Sequence, residues 1–233
     1  MLTRPEIQRY SRQLLLEGFS PEHQEKLLGS SVLLVGAGGL GTPAMTYLAG
    51  AGVGTIGLCD FDVVSLSNLQ RQILYRSADI GQPKTRVAAS QLQQLNPQIK
   101  IKTLNKLLPE QAEEVISGFD LVLDCADNFA TRYLVNDTCV KLGKTWVWSA
   151  AQSFEAMLSV FTPERNLRRI FPEPPPTQDN CDTIGVIGPM LGIAGSMMAL
   201  EALKILTGLG TPLVGKLWTF DALEGTARVI KLP

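Results

Sequence analysis

The segment SVLLVGAGGLGTP (31–43) constrains this chain more than any other. Its first five residues form an uninterrupted run suited to a strand buried on both faces, and Gly36-Ala37-Gly38-Gly39-Leu40-Gly41 then fits GxGxxG ahead of a helical stretch at 42–51. Strand, tight glycine turn and helix open a βαβ unit. Asp60 lies near the end of the next strand, TIGLCDFD (55–62), 19 residues beyond Gly41, where a carboxylate can accept hydrogen bonds from ribose hydroxyls. Glycines alone can serve only to pack a βα turn. Strand, helix and acid in register favour a nucleotide, whose phosphates would meet the backbone of Gly36, Gly38, Gly39 and Gly41 at the helix N-terminus.

The alternation continues. A helix is expected over 84–95, stopped by Asn96-Pro97, then a strand over 99–105, a helix over 109–117, a strand over 120–127, a helix over 130–142 and strands over 145–151 and 155–161. This order predicts an α/β fold, Rossmann-like and doubly wound, with a mostly parallel sheet covered by helices on both faces. We read the whole of 1–233 as one adenylation-type domain. A helical arm (1–30) precedes the nucleotide-binding core (31–161), with helices at 5–17 and 21–28; Ser20 is placed to cap the second, and Ile7, Tyr10, Leu14 and Leu15 share a face of the first. After the core, 162–182 is rich in Pro and charge and is expected to be a mobile crossover loop. The last part (183–233) reads as a buried helix over 185–207 and C-terminal antiparallel strands joined at Glu224-Gly225.

Composition narrows the function. With 21 Lys+Arg against 22 Asp+Glu the net charge is −1, so no positive field exists to hold nucleic acid. The four cysteines (Cys59, Cys125, Cys139, Cys181) include no CxxC pair, which indicates a reducing compartment. The opening MLTRPEIQRYSRQ lacks an apolar signal core, so a cytoplasmic protein is expected. The uncharged stretch 183–200 contains Pro189 and the spaced glycines Gly188, Gly192 and Gly195, and runs on into EALKILTG; it reads as a buried helix and no membrane association is expected.

A nicotinamide-dependent dehydrogenase would share the glycine turn and Asp60. It should also carry a proton donor, yet the only histidine is His23 in the arm, and none of Tyr10, Tyr47, Tyr75 and Tyr133 has a lysine four residues on. That reading is weakened and stays as the alternative of a different class. The chain offers instead Ser67-Asn68-Leu69-Gln70-Arg71-Gln72, Gly81-Gln82-Pro83-Lys84 and Asp124-Cys125-Ala126-Asp127-Asn128, each after the C-terminal end of a strand. Guanidinium and ammonium groups suit phosphate oxygens, and a lone carboxylate suits Mg²⁺ bridging them. A single basic residue is more often a solvated surface charge; clustered beside a nucleotide turn, these point to a triphosphate.

The stretches RYSRQ, GAGGLGTP, DFDVVSLSNLQRQ, GQPK, DCADN, GVIGPMLGIAGS and ALEALKILTG occur in this order. With them the chain, over residues 5–233, resembles the ThiF/MoeB/HesA family, bacterial relatives of ubiquitin-activating enzymes. The resemblance implies ATP-dependent adenylation of the C-terminal Gly-Gly carboxylate of a ubiquitin-like sulfur-carrier protein, with release of pyrophosphate. The carrier is then charged as a thiocarboxylate, with a cysteine desulfurase or a rhodanese-type protein as sulfur donor. On the matched positions, Asp60 holds the ribose and Gly39 lies by the phosphates. Asn68, Arg71 and Lys84 contact the triphosphate within a nucleotide-binding stretch that also takes in Ser67, Leu69 and Gln70. Asp127 holds Mg²⁺ with Asn128 beside it, and Arg12 is the arginine that such homodimers insert into the neighbouring subunit's site.

GLGTPAMTYLAGAGVGT, RQIL, LNPQI and NCDTIGVIGP are closer to ThiF-like than to MoeB-like sequences, which favours thiamine thiazole biosynthesis. Activation of the molybdopterin-synthase small subunit or of another sulfur carrier is the alternative. Many members bind a structural zinc through two CxxC pairs; here the first pair's positions fall on Asn166 and Arg169 and the second has no match up to Pro233, so no zinc is expected. Cys181 matches the family cysteine proposed to take the activated acyl group or join it in a persulfide linkage. Its flanking aspartates would raise its pKa, and both a covalent role and an idle loop cysteine stay open.

Overall fold

In a computed structural model, residues 1–173 and 185–232 are described. Eight strands, β1 (Ser31–Val35), β2 (Thr55–Cys59), β3 (Lys100–Leu104), β4 (Leu121–Asp124), β5 (Trp146–Gln152), β6 (Glu155–Phe161), β7 (Lys216–Asp221) and β8 (Thr226–Lys231), form one sheet in the order β3-β2-β1-β4-β5-β6-β7-β8. The pairs from β3 to β5 are parallel, and those from β5 to β8 antiparallel. The helices are α1 (Arg4–Arg9), α2 (Ser11–Leu14), α3 (Pro21–Gly29), α4 (Gly41–Ala51), α5 (Lys84–Leu95), α6 (Ala112–Ser117), α7 (Phe129–Lys141) and α8 (Gly188–Thr207).

Apolar residues of β1 point alternately to two cores. Val32 and Leu34 meet α3, α4, α5 and α8 through residues such as Leu27, Leu48 and Met198. Leu33 and Val35 meet α6 and α7 through Ile116, Val135 and Cys139. Helices thus cover both faces, as the βα alternation requires.

The differences from the sequence-based expectation have local causes. The arm helix over 5–17 is split, because Tyr10 turns inward at 2% exposure and its hydroxyl accepts a hydrogen bond from Asn96 Nδ2 at 2.9 Å. Ile7 (49% exposed) and Leu15 (73%) therefore do not share a buried face with it. The strands expected over 55–62 and 120–127 stop at Cys59 and Asp124. The helix expected from 109 begins at Ala112, and the one from 185 begins at Gly188. Residues 185–187 pair instead with the β5–β6 turn: the Ser153 N–H donates to Gly185 C=O at 2.9 Å, and the Ile187 N–H to Ser153 C=O at 3.1 Å. Within the stretch read as a loop, Leu167–Arg169 forms a 3₁₀ turn; residues 174–182, Cys181 among them, lie outside the described residues.

α8 is, among the described residues, the one helix long and apolar enough to cross a membrane. It packs against α4, β5 and β6, and Met190, Ala194, Met198 and Ala202 are at most 1% exposed. Its apolar character is that of a core helix.

Candidate active site

The sheet order reverses between β1 and β4, so their carboxyl ends open a crevice. Gly36 follows β1 with a φ of +106°, and a Cβ there would stand 2.6 Å from the Cys125 carbonyl oxygen. Only glycine lets the turn after β1 lean on the turn after β4.

Two acids end β2 and β4 by the same device. Asp60 Oδ1 accepts from the Asp62 N–H at 2.8 Å, and Asp124 Oδ1 from the Ala126 N–H at 3.1 Å. Each side chain bonds the backbone two residues on and steers the chain off the sheet, which is why both strands end early. Asp60 Oδ2 also accepts from the Ala37 N–H at 2.7 Å, while the Tyr75 hydroxyl donates to the Ala37 carbonyl at 2.7 Å. The glycine turn is therefore held at both sides of Ala37 by side chains. Burial pushes the Asp60 carboxyl above its ordinary value, with the two amides and Lys84 pulling against it.

A cavity of about 760 Å³ lies over these turns, well within the range that holds small molecules and cofactors. One end is walled by Gly36, Gly38, Gly39, Asp60, Arg71 and Lys84, and Asp127 and Asn128 also face it. The other end runs over the antiparallel strands past Ala150, Ala151, Ala156, Met157, Phe220 and Arg228. Lys84 is 4% exposed, and its Nζ reaches Asp62 Oδ2 at 2.8 Å, so a cation is kept in a nearly dry wall by one half-exposed partner.

Not every residue singled out in the sequence reaches the cavity. Gly41, Ser67, Asn68, Leu69 and Gln70 are outside its lining. Gly41 is needed within the turn, since a Cβ there would collide with the Gly36 carbonyl oxygen. Asn68 caps its own 3₁₀ turn, its Oδ1 accepting from the Ser65 N–H at 3.1 Å, and Arg71 Nη1 donates to the Ser67 carbonyl at 2.9 Å. Arg12 is exposed on α2 and away from the lining. His23 sits in the arm, where its Nδ1 accepts from the Ser20 N–H at 2.9 Å.

Other wall residues went unassigned in the sequence. Gln72 belongs to the quoted SNLQRQ and lines the cavity at 4% exposure. Phe61 is 62% exposed with Lys106 Nζ 5.1 Å above its ring; an aromatic between two acids in a loop was the available signal. Arg132 and Trp148 also line the wall, and no local pattern marked Arg132, Trp148 or Tyr75.

The donor set bears on metals and thiols. Asp127 is exposed toward the cavity, with Asn128 Nδ2 donating to its Oδ1 at 3.2 Å. One carboxylate beside a phosphate site fits Mg²⁺, which keeps most of its ligands as water and phosphate oxygen. No group of three or more His, Cys, Asp or Glu gathers among the described residues. Burial pushes the thiols of Cys59 and Cys139 up to about 12 and raises that of Cys125 well above its ordinary value, so these three are packing residues and poor nucleophiles.

The chain is similar to known proteins. The profile of the ThiF family matches residues 10–233. The sulfur carrier protein adenylyltransferase of Thermus thermophilus is 45% identical over 97% of the chain and 87% of its own length. The sulfur carrier protein ThiS adenylyltransferase of Escherichia coli is 45% identical over 97% and 92%. A probable adenylyltransferase/sulfurtransferase, MoeZ of Mycobacterium tuberculosis, is 43% identical over 99% of the chain, which spans 61% of it. Among solved structures, E. coli MccB crystallised with ATP superposes with a TM-score of 0.82 at 23% identity, over 96% of this chain and 71% of that one. At that identity the likeness speaks for the fold.

Proposed function

The chain belongs to the ThiF family, and from that premise we propose that it adenylates the C-terminal Gly-Gly carboxylate of a ubiquitin-like sulfur-carrier protein, consuming ATP and releasing pyrophosphate. The observation that carries this reading is the two-ended cavity. Its nucleotide end is built from the glycine turn, Asp60, Arg71 and Lys84, and it continues over β5 to β8 past Ala150, Ala151 and Ala156, which leaves a path for an extended protein terminus.

The chemistry asks little proton transfer of the protein. A carboxylate oxygen attacks the α-phosphorus, the bond to the β-phosphate bridging oxygen breaks, and pyrophosphate leaves with the electron pair. The nucleophile is already ionised, so a wall without histidine is adequate. The residues must bring two anions together and stabilise charge moving onto pyrophosphate. Asp60 keeps its carboxylate at the ribose end while fixing the turn, and the amides of Gly38 and Gly39 face the phosphates. Lys84 and Arg71 supply positive charge, and Arg12 supplies more from a second copy of the chain. Asp127, beside Asn128, would hold Mg²⁺, which when bound neutralises phosphate charge.

Within this activity we favour the carrier of thiamine thiazole synthesis, on the ThiF-like stretches of the sequence and on the likeness to an enzyme named for ThiS. Activation of the molybdopterin-synthase small subunit or of another sulfur carrier stays as the alternative. Sulfur then comes from a cysteine desulfurase or a rhodanese-type donor, in steps after adenylation where any thiol role of Cys181 belongs.

The test is ATP–pyrophosphate exchange. Exchange should require a carrier ending in Gly-Gly and fall about 100-fold or more in Arg71→Ala and Asp127→Ala, the loss of a positioned charge being worth about 3 kcal/mol. Undiminished exchange in both variants, or thermal stabilisation by NADH with none by MgATP, would overturn the reading.

A further inference from the structure

Where β4 leaves the sheet, both peptide bonds that flank Ala126 are held by buried charged side chains. Asp124 Oδ1 accepts the Ala126 N–H at 3.1 Å, and Arg132, one turn into α7, donates to the Ala126 carbonyl from Nε at 3.2 Å and from Nη2 at 3.0 Å. Asp124 is 0% exposed and Arg132 9%. The guanidinium lies over the rings of Phe129 and Trp148, at 5.3 and 5.7 Å from their centroids. The second carboxylate oxygen, Oδ2, is buried with no hydrogen-bond partner among the described residues.

Stability does not account for this pair. A buried acid with one idle oxygen costs free energy, and apolar side chains of similar volume commonly do as well or better. What the pair accomplishes is local geometry. The next residue is Asp127, whose Oδ1 accepts from Asn128 Nδ2, and Asn128 Oδ1 caps α7 by accepting the Thr131 N–H at 2.9 Å. The same backbone carries the glycine turn, because a Cβ on Gly36 would come within 3.3 Å of the Ala126 nitrogen. The height of the Ala126 peptide thus sets both the floor of the nucleotide turn and the place from which Asp127 enters the cavity.

We propose that Asp124 and Arg132 are positioning residues that clamp the Ala126 backbone and so aim the Asp127 carboxylate at the phosphate-side metal. The inference rests on the reading of Asp127 given above. Asp124 is outside the cavity lining and Arg132 forms part of the wall, and both act here through the Ala126 backbone. Asp124 sets the turn from below, and Arg132 fixes its carbonyl from α7 with two nitrogens that a lysine cannot reproduce.

The test measures Mn²⁺ binding by electron paramagnetic resonance, using the protein saturated with a non-hydrolysable ATP analogue. Side chains that orient a metal ligand typically matter about 10- to 100-fold in metal affinity. Arg132→Lys and Asp124→Leu should weaken Mn²⁺ binding by about tenfold or more, while metal-free affinity for the analogue, measured in EDTA, stays within about twofold. Asp124→Asn keeps an oxygen for the Ala126 N–H and should restore most of the Mn²⁺ affinity, which a general packing defect would not allow. Where Asp124→Leu does not fold, Arg132→Lys carries the test. Wild-type Mn²⁺ affinity in folded Arg132→Lys, with Asp127→Ala weakened, overturns the positioning role and leaves the Asp127 reading standing. Wild-type affinity in Asp127→Ala overturns both.

Discussion

A single buried acid makes the stability of this protein depend on pH. Burial pushes the Asp124 carboxyl from 3.8 up to about 6, with Arg132 and the Ala126 amide pulling it down and Asp127 adding to the rise. Between those two values the folded chain holds a proton that the unfolded chain has released. The contribution of this group is therefore fully present below about pH 4 and is lost as pH rises through about 6, a change on the order of 2–3 kcal/mol. Asn at this position does not titrate. Urea unfolding of Asp124→Asn and of the wild type should differ more in the variant's favour at pH 7.5 than at pH 4.5, and a constant difference would show that Asp124 is not desolvated as its burial implies. The sequence did not reveal this residue's weight. In DCADN the acid that reaches an open site and the acid that anchors a turn are the same letter, and only the meeting of Asp124 with the Ala126 amide separates them.

At the scale of elements, α8 is the brace of the site. A Cβ on Gly39 would collide with Leu191 Cδ1, and one on Gly188 would stand 2.5 Å from the Gln70 carbonyl oxygen, so the start of this helix is seated against the glycine turn and against the backbone that leads into Arg71. A Cβ on Gly195 would run into the Leu40 carbonyl oxygen in the same sense. The obstacles differ in kind. Leu191 is a side chain that can be trimmed, whereas a carbonyl cannot give way. Gly39→Ala alone should lose about 1–3 kcal/mol through overpacking, and most of it should return in Gly39→Ala/Leu191→Ala, read as melting temperature. Equal losses in the single and double variants would place the cost in the turn backbone itself. The helix was legible because its apolar run is long and ends with a positive-φ Gly208. Its true start was not, since residues 185–187 are drawn into pairing with Ser153, a partner distant in sequence. The split of the arm helix at Tyr10 was hidden for the same reason, its cause being Asn96.

For the whole molecule, the periodic strands and helices announced a parallel sheet with a switch point, and the glycine turn with Asp60 announced one side of the cavity there. The extension over β5 to β8 was not announced, because antiparallel pairing across a long connection leaves no local mark. Arg12 lies outside the cavity wall while Leu15 and Leu16, at 73% and 60% exposure, present apolar surface on the same arm. A second copy that covers those leucines and brings Arg12 to its neighbour's site is the expected assembly. Sedimentation at micromolar concentration should show a dimer, and inactive Arg12→Ala and Lys84→Ala subunits, once exchanged, should regain activity in mixed pairs up to about one site in four at equal proportions. A monomer, or no regain, would remove Arg12 from the site. β7 pairs with β6, and α8 packs on α4 and β5, across the connection that separates them in the chain. The halves before and after that connection share one sheet and one core, so covalent continuity between them is not what holds the fold. Co-expressed as two polypeptides, 1–173 and 185–233, they should assemble into a working nucleotide site, turning this chain into a two-piece reporter whose signal is pyrophosphate exchange.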